Sequence, residues 1–360
     1  MGRGVIAVVG RDYGWNEAAA GKPFVGEAGR VLDAALADAS LHRGDVLVTN
    51  VVNARPPRDD WSAHAAGAIA RGMDSLRVYL RQVDQPPDSS IIVALGTQAF
   101  LACTRGDAPP PSERECAALL AREFGGSITE LRGYVWTGPF GPVLAAVHPA
   151  FVLRTWLPWR ATLAWDLAKA RRYAEGVGRG GETHESLYAR DAVEAQEYAH
   201  ELLKGSTLAC DTETAGQDVP VCCAFAASPG RGVTFVLPRD RDCVAELLAS
   251  PSEKVWQNAQ FDLTVLQRAG YAVNGVQHDA MLLWHALEPL IAGRSGDSGS
   301  KASQKGLRFL ASVFTDEPFY KNYAFTCEED RWRLCATDAR VTLEVWNTLW
   351  ARAAAKALTP

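Results

Sequence analysis

The first half of the chain alternates short apolar runs with segments whose apolar residues recur at helical spacing. The apolar runs are continuous rather than alternating, which is typical of strands buried on both faces of a parallel sheet. This βα repetition predicts an α/β domain with helices on both faces of the sheet. The predicted strands are 5–10, 45–52, 90–96 and 142–149, and the predicted helices include 28–39 and 65–83.

A basic helical stretch, 160–176, is followed by a glycine-rich run that predicts a linker. We expect a first domain at 1–178, a linker at 179–190 and a second α/β domain at 191–360, with a mobile Gly/Ser-rich loop at 292–306. The strands predicted for the second half are 207–213, 221–228, 232–238 and 254–259. The helices predicted there are 241–250, 260–269, 279–290 and 331–357.

Composition narrows the class of protein. The 360 residues exceed one ordinary hydrophobic core, which favours two domains. The net charge of -5 gives no overall basic signature, so any nucleic-acid surface is local. Eight cysteines without a CxxC pair favour reduced thiols in the cytoplasm over zinc or a disulfide framework. The chain has no apolar stretch of about 18 residues, so we expect no membrane span.

Four acids of the second half lie beside apolar sequence, where charge is costly without compensation. Asp211 and Glu213 are two apart on a predicted strand and therefore share a face. Asn258 and Asp262 are four apart, which makes them neighbours on a helix, and Asp338 lies near the core-facing stripe of the last helix. Mg²⁺ or Mn²⁺ is the natural compensation, because hard cations bind carboxylate oxygens.

The second half contains three motifs in order: DTE at 211–213, NAQFD at 258–262 and TDARVTLEV at 337–345. They resemble the three motifs of DEDD-superfamily 3′–5′ exonucleases, in the proofreading domains of family A DNA polymerases. The segment 305–321 also resembles the region between the second and third motifs in phage polymerases.

The resemblance implies a ribonuclease H-like domain with a mixed sheet and a two-ion Mg²⁺ or Mn²⁺ site that cleaves phosphodiesters. The catalytic metal ligands that it implies are Asp211, Glu213, Asp262 and Asp338, and the substrate contacts are Asn258 and Phe261. The family also places a Tyr four residues, or a His five residues, before its last Asp to orient water. Leu334 and Arg333 stand at those positions here, so the water-orienting residue is missing from its usual place. A tyrosine from elsewhere, such as Tyr320 or Tyr323, is an alternative that nothing in the sequence shows.

The first half carries four further motifs, at 10–36, 48–60, 92–99 and 145–154. In order and spacing they resemble the uracil-DNA glycosylase superfamily, and family 4 in particular. The resemblance implies an aromatic platform and an amide that read a flipped uracil, and a donor for the leaving base. Residues implied as catalytic are Asp12, Asn50 and His148, and residues implied as substrate-binding are Phe24, Tyr13, Glu17 and Arg154.

Two features depart from family 4. Arg11 and Asp12 stand where that family has Glu-Ala, and other branches of the superfamily place Asp at the second position. Ala54 replaces one of the four cysteines that hold an iron–sulfur cluster in family 4. Because the usual cluster needs four thiolates, we expect none here.

Three functions stay open from the sequence. The first is a DNA replication and repair protein in which a metal-dependent exonuclease is joined to a glycosylase-like DNA-binding domain. It would act on single-stranded or frayed 3′ ends beside a phage-type polymerase chain in a bacterial host cytoplasm. The second is an active uracil-DNA glycosylase with a degenerate exonuclease domain. The third is a non-catalytic DNA-binding or polymerase-docking subunit, for which the residues suited to contacting DNA are Arg55, Arg58, Trp61, Arg154, Trp156 and Arg160.

Overall fold

A computed structural model of the chain describes residues 4–64, 66–81, 90–110, 112–155, 158–177, 184–216, 219–292, 304–320 and 325–356. It divides the chain into two compact units, Met1–Arg179 and Gly180–Pro360. Each unit is an α/β structure built on one sheet. No helix within the described ranges is both long enough and apolar enough to cross a membrane.

The sheet of the first unit has the order β2-β1-β3-β5-β4. Its strands are β1 (Ile6–Asp12), β2 (Val46–Val52), β3 (Ile91–Leu95), β4 (Val135–Gly138) and β5 (Gly141–Ala146). The four predicted strands are present and mutually parallel. The sequence prediction missed β4, which pairs antiparallel with β5 at one edge. Only two residues separate them, which is the length of a tight hairpin connection.

Helices cover the sheet of the first unit. They are α1 (Trp15–Ala20), α2 (Glu27–Asp38), α3 (Ala66–Arg81), α4 (Thr97–Arg105), α5 (Glu113–Phe124), α6 (Ile128–Leu131), α7 (Pro149–Thr155) and α8 (Pro158–Ala174). Helices α2 and α8 pack with Ile6 and Val8 in one hydrophobic core. The alternate residues Ala7 and Val9 are buried as well, so β1 is covered on both faces, as its continuous apolar sequence requires.

The second unit has a six-stranded mixed sheet of order β11-β10-β7-β8-β9-β6. Its strands are β6 (Glu185–Tyr188), β7 (Thr207–Ala215), β8 (Val219–Ser228), β9 (Arg231–Val236), β10 (Glu253–Trp256) and β11 (Gln277–Asp279). The predicted linker over 179–190 is corrected here, because β6 lies within it and pairs parallel with β9. So short a segment gives only a weak strand signal in the sequence. It is a strand because its backbone hydrogen-bonding groups pair with those of β9.

The helices of the second unit are α9 (Ala192–Leu202), α10 (Arg241–Ala249), α11 (Ala259–Arg268), α12 (Ala280–Leu287), α13 (Pro289–Ala292), α14 (Leu307–Phe314) and α15 (Glu328–Ala355). The helix predicted over 279–290 is broken at Glu288, because the residue before a proline is disfavoured in helical conformation. Most of the predicted loop at 292–306 lies outside the described residues.

Helix α15 begins at Glu328, three residues earlier than predicted, and Asp338 lies well inside it. Three acids in the first turn favour the early start, since they complement the helix dipole. The helix packs closely on the sheet at Gly232, where an added Cβ would lie 2.0 Å from the Ala336 carbonyl oxygen. The helix also contacts the strand that carries Asp211 and Glu213, where the Cys335 thiol donates to the Asp211 carbonyl oxygen at 3.5 Å.

Candidate functional sites

Three acids of the second unit meet at one place. Asp211 and Glu213 project from the same face of β7, and Asp338 comes from α15. One carboxylate oxygen from each residue lies within 4.8 Å of the other two. Asp338 is buried, and the other two side chains are half-buried. Three like charges at this separation repel one another unless a cation compensates them.

The fourth predicted ligand, Asp262, lies outside this three-residue group. It is buried in the first turn of α11, and its carboxylate accepts hydrogen bonds from the hydroxyl and backbone N–H of Thr212. Burial raises the pKa of Asp262 to about 7, against the opposing effect of those hydrogen bonds. Thr212 belongs to the strand that carries Asp211 and Glu213, so Asp262 contacts this strand without joining the group of three acids.

The start of α11 is fixed by an acid that the sequence reasoning missed. Asp279 accepts hydrogen bonds from the backbone N–H groups of Asn258 and Ala259, at 3.3 and 2.9 Å. Asn258 has a left-handed backbone, φ 69°, which asparagine tolerates well. Asn258 and Phe261 are both exposed, and Phe261 is 45% exposed. The helix start thus sets the position of Asp262.

The three clustered residues fit a hard divalent cation. Each offers carboxylate oxygens, which suit Mg²⁺ or Mn²⁺, and neither cysteine nor histidine belongs to the group. The mutual repulsion of the acids is itself an argument for a cation, because the described geometry brings them together in spite of it. Asp211, Glu213 and Asp338 would hold such an ion.

The first unit contains a cavity of about 220 Å³ at the carboxyl ends of its parallel strands. Sites in open α/β sheets form at this edge. The cavity is lined by Arg11, Asp12, Tyr13, Gly14, Glu17, Phe24, Ala28, Asn50, Pro56, Asp59, His148 and Ala150. All the residues predicted for this site line it except Arg154, which is exposed at the end of α7.

Asn50 is the least satisfied polar residue of this cavity. Asn50 is 2% exposed, and neither its amide oxygen nor its amide nitrogen has a hydrogen-bond partner among the described residues. Asn50 lies opposite Gly10 in the β1–β2 register, where an added Cβ would approach its Oδ1 to 2.3 Å. A buried amide costs free energy when unpaired, so this arrangement suits a ligand that bonds to both amide atoms.

Phe24 forms the aromatic wall of the cavity. It is buried, and its backbone has φ 52°, a left-handed conformation that is unusual for a bulky residue. Glu17 holds this turn, since its Oε1 accepts from the N–H groups of Val25 and Gly26 at 3.0 and 2.8 Å. The structure therefore gives Glu17, predicted to bind substrate, a direct role in supporting Phe24.

His148 is half-buried beside Phe24, with ring centroids 5.7 Å apart. Burial lowers the pKa of His148 to about 4, and the cations Arg11 and Arg154 act in the same direction. The backbone N–H of Ala150 donates to Nδ1 at 3.1 Å. The imidazole is therefore neutral near pH 7 with its proton on Nε2, which makes it a neutral hydrogen-bond donor.

Arg11 is paired with acids on two sides. Its Nε lies 3.0 Å from Asp12 Oδ1, and its Nη1 lies 2.7 Å from Glu113 Oε1. Asp12 Oδ2 also lies 3.4 Å from Nε2 of His64, a residue that the sequence reasoning did not single out. Burial raises the pKa of Asp12, while Arg11 and His64 oppose that rise. The positive charge of Arg11 is thus compensated beside the cavity.

The side chains suggested as DNA contacts are partly engaged elsewhere. Trp61 is fully buried and donates its indole N–H to the Pro110 carbonyl oxygen at 3.1 Å, so it cannot stack on a base. Arg55 forms a bidentate pair with Asp59, at 2.6 and 2.7 Å. Trp156 lies outside the described residues. These contacts weaken the expectation of a docking surface at this rim.

Two family models match the chain, one on each side of the boundary between the two units. Residues 4–170 match the family model described as the uracil DNA glycosylase superfamily, and residues 188–353 match the model described as 3′-5′ exonuclease. A type-4 uracil-DNA glycosylase of Thermotoga maritima is 28% identical over 176 residues, which is 48% of this chain and 79% of that protein. One from Pyrobaculum aerophilum is 48% identical over 54 residues, 15% of this chain and 28% of that protein.

Solved structures that match part of this chain include the EXO domain of Aedes aegypti Nibbler, with a TM-score of 0.36 and 15% identity. That overlap covers 48% of this chain and 91% of the other. The catalytic core of RRP6 from Trypanosoma brucei overlaps with a TM-score of 0.39 and 15% identity, over 49% of each chain.

Proposed function

We propose that this chain, in which residues 4–170 form a uracil-DNA glycosylase superfamily domain and residues 188–353 a 3′–5′ exonuclease domain, removes nucleotides from DNA 3′ ends. The observation that carries the proposal is the group of three carboxylates within 4.8 Å. Bound Mg²⁺ or Mn²⁺ would supply Lewis-acid activation of water and stabilisation of the leaving oxygen. The substrate class is single-stranded or frayed 3′ DNA ends.

The protein side chains have separate roles in this proposal. Asp211, Glu213 and Asp338 hold the metal, and Asp262 completes the acidic surroundings from α11. Phe261 is an exposed aromatic ring next to Asp262, which suits stacking on a terminal base. Stacking tolerates any base, as an enzyme acting on arbitrary 3′ ends requires.

Digestion of a 5′-labelled single strand with Mg²⁺ or Mn²⁺ tests the exonuclease. The proposal predicts a ladder of products shortened from the 3′ end, and a 3′-phosphate block should slow it. A duplex with a frayed 3′ end should be digested faster than a fully paired one. Full-length substrate after prolonged incubation with either metal would contradict the proposal.

A second candidate function is uracil excision, which the first-unit cavity favours. The unpaired Asn50 amide matches the donor and acceptor edge of uracil, and Phe24 supplies a stacking wall. Neutral His148 can donate to the uracil anion as it leaves, and Asp12 can stabilise the positive sugar. Alkali treatment of a uracil-containing strand after incubation would reveal abasic sites, and an unbroken strand would contradict this function.

We also propose a polymerase partner, on the likeness of the three exonuclease motifs to proofreading domains. Co-purification with a family A polymerase of the same replicon, in the cytoplasm of a bacterial host, tests it. A non-catalytic docking subunit would instead show neither activity, yet would bind DNA with a strong dependence on salt. The two activity assays therefore separate these possibilities.

A further inference from the structure

Tyr320 contacts the carboxylate cluster from a segment outside the three exonuclease motifs. It lies after α14 and is 7% exposed. Its hydroxyl donates a hydrogen bond to Asp338 Oδ1 at 2.8 Å. A hydrogen bond to an ionised carboxylate is about twice as strong as one between neutral groups, and it fixes the rotation of the acid.

The position of Tyr320 is held independently of the cluster. Glu317, three residues earlier, accepts from Arg340 Nη2 at 2.6 Å and lies 3.1 Å from His184 Nδ1. Its backbone N–H donates to Thr315 Oγ1 at 3.2 Å. Arg340 and Asp338 are two residues apart on α15, so the segment that carries Tyr320 is fixed to the helix at both positions. Such support is what a preorganised site requires.

The usual water-orienting position cannot serve this role. Leu334 lies one helical turn before Asp338 on α15, and a leucine side chain has no hydrogen-bond donor or acceptor. Tyr320 brings a phenol to the same acid from a different part of the chain. A phenol can accept a hydrogen bond as well as donate one, which is the property that a water-orienting group requires.

We infer that Tyr320 is the positioning residue of the exonuclease site, where it orients Asp338 and water in place of the side chain missing at position 334. The inference rests on the proposed exonuclease function. Partners around a metal ligand typically change affinity or activity by about 10–100-fold when they are removed. Tyr320 therefore affects metal binding as well as the rate.

The test compares the full chain with Tyr320→Phe and with the control Tyr271→Phe. Tyr271 is also a buried tyrosine of the second unit, but its hydroxyl contacts Arg241 instead of the cluster. For each protein we would measure Mn²⁺ affinity by titration calorimetry, thermal unfolding, and kcat and KM on a single-stranded oligonucleotide. Phenylalanine keeps the ring, so the packing is retained.

Tyr320→Phe is expected to weaken Mn²⁺ binding and lower kcat, each by about 10–100-fold, with KM for DNA and the unfolding temperature near those of the control. Unchanged Mn²⁺ affinity and kcat would overturn the inference, as would equal losses in both variants. The calorimetry is independent of turnover. If the wild-type chain binds Mn²⁺ but digests nothing, the proposed function fails while the effect of Tyr320 on metal binding is still measured.

Discussion

The cavity of the first unit and the carboxylate cluster of the second present opposite electrostatic surroundings. In the cavity the charges are compensated within the protein, since Arg11 pairs with Asp12 and Glu113, and His148 is neutral near pH 7. In the cluster, three acids lie within 4.8 Å of one another. The cavity is thus suited to a neutral polar ligand such as a pyrimidine, and the cluster to a cation. Two sites on one chain should therefore differ in their dependence on metal.

The largest expected effect comes from removing a carboxylate of the cluster. Asp211→Asn should lower 3′-end digestion by about 10³-fold or more, because a metal site supplies several kcal/mol of stabilisation. Uracil release should be unchanged, and product ladders and abasic sites can be scored on one gel. Glu197→Gln, an exposed acid of α9, is the matched control. Equal digestion by both variants would remove the cluster from the mechanism.

Buried ion pairs offer the next comparison. Arg340 and Glu317 are buried in the second unit, and Arg132 and Asp166 in the first, where Arg132 Nε lies 3.1 Å from both carboxylate oxygens. Glu317→Ala and Asp166→Ala should each lower the free energy of unfolding by about 3–5 kcal/mol, because an unpaired buried arginine remains. Urea titration of each variant measures the change in the free energy of unfolding.

The two ion-pair variants should differ in function. Glu317 supports the segment of Tyr320, so its loss should also slow digestion under conditions where the variant is folded. Asp166 does not line the cavity, so uracil release by folded Asp166→Ala should stay near wild type. If both variants leave both activities intact, the ion pairs stabilise the units without serving either site.

The amide of Asn50 should matter only to the cavity. Asn50→Ala should slow uracil release by about 10²–10³-fold, the usual cost of losing a well-placed hydrogen-bonding group. Digestion of 3′ ends should not change. Asn53→Ala is the control, since this exposed asparagine donates to Thr49 Oγ1 at 3.3 Å and does not line the cavity. Normal uracil release by Asn50→Ala would exclude it as the reader of the base.

The smallest expected effect is the dependence of the free energy of unfolding on pH. His148 has a pKa of about 4 when folded and 6.5 in its ordinary state, so below pH 6.5 the unfolded chain binds a proton that the folded chain does not. The free energy of unfolding is therefore highest above pH 6.5. It falls by up to about 3 kcal/mol as the pH is lowered to about 4. His148→Gln should flatten this dependence in urea titrations. An identical pH profile for the variant would contradict the burial-based account.

Much of both sites could be predicted from sequence because strands carry strong local signals. The continuous apolar runs of the first half identify four strands whose carboxyl ends meet at the cavity, and the alternation around Asp211 and Glu213 predicts their shared face. Local signals do not report pairing between distant segments. The strand Glu185–Tyr188 lies in the segment predicted as a linker, because only its pairing with β9 makes it a strand.

Other residues could not be predicted because their roles arise from tertiary contacts. Tyr320 lies 18 positions from Asp338, and nothing in the intervening sequence indicates that its hydroxyl reaches that acid. His64 lies 52 positions from Asp12, and Asp279 fixes the start of α11 from the neighbouring strand. In each case the contact depends on where a loop or helix end lies in the fold.

The difference between the two sites is tested most directly by one uracil-containing, 5′-labelled oligonucleotide, incubated with the chain in EDTA and in Mn²⁺. The predicted result is abasic-site formation in both conditions and 3′ shortening only with Mn²⁺. Uracil release that requires Mn²⁺, or 3′ shortening that persists in EDTA, would contradict the assignment of a metal-independent cavity and a metal-dependent cluster.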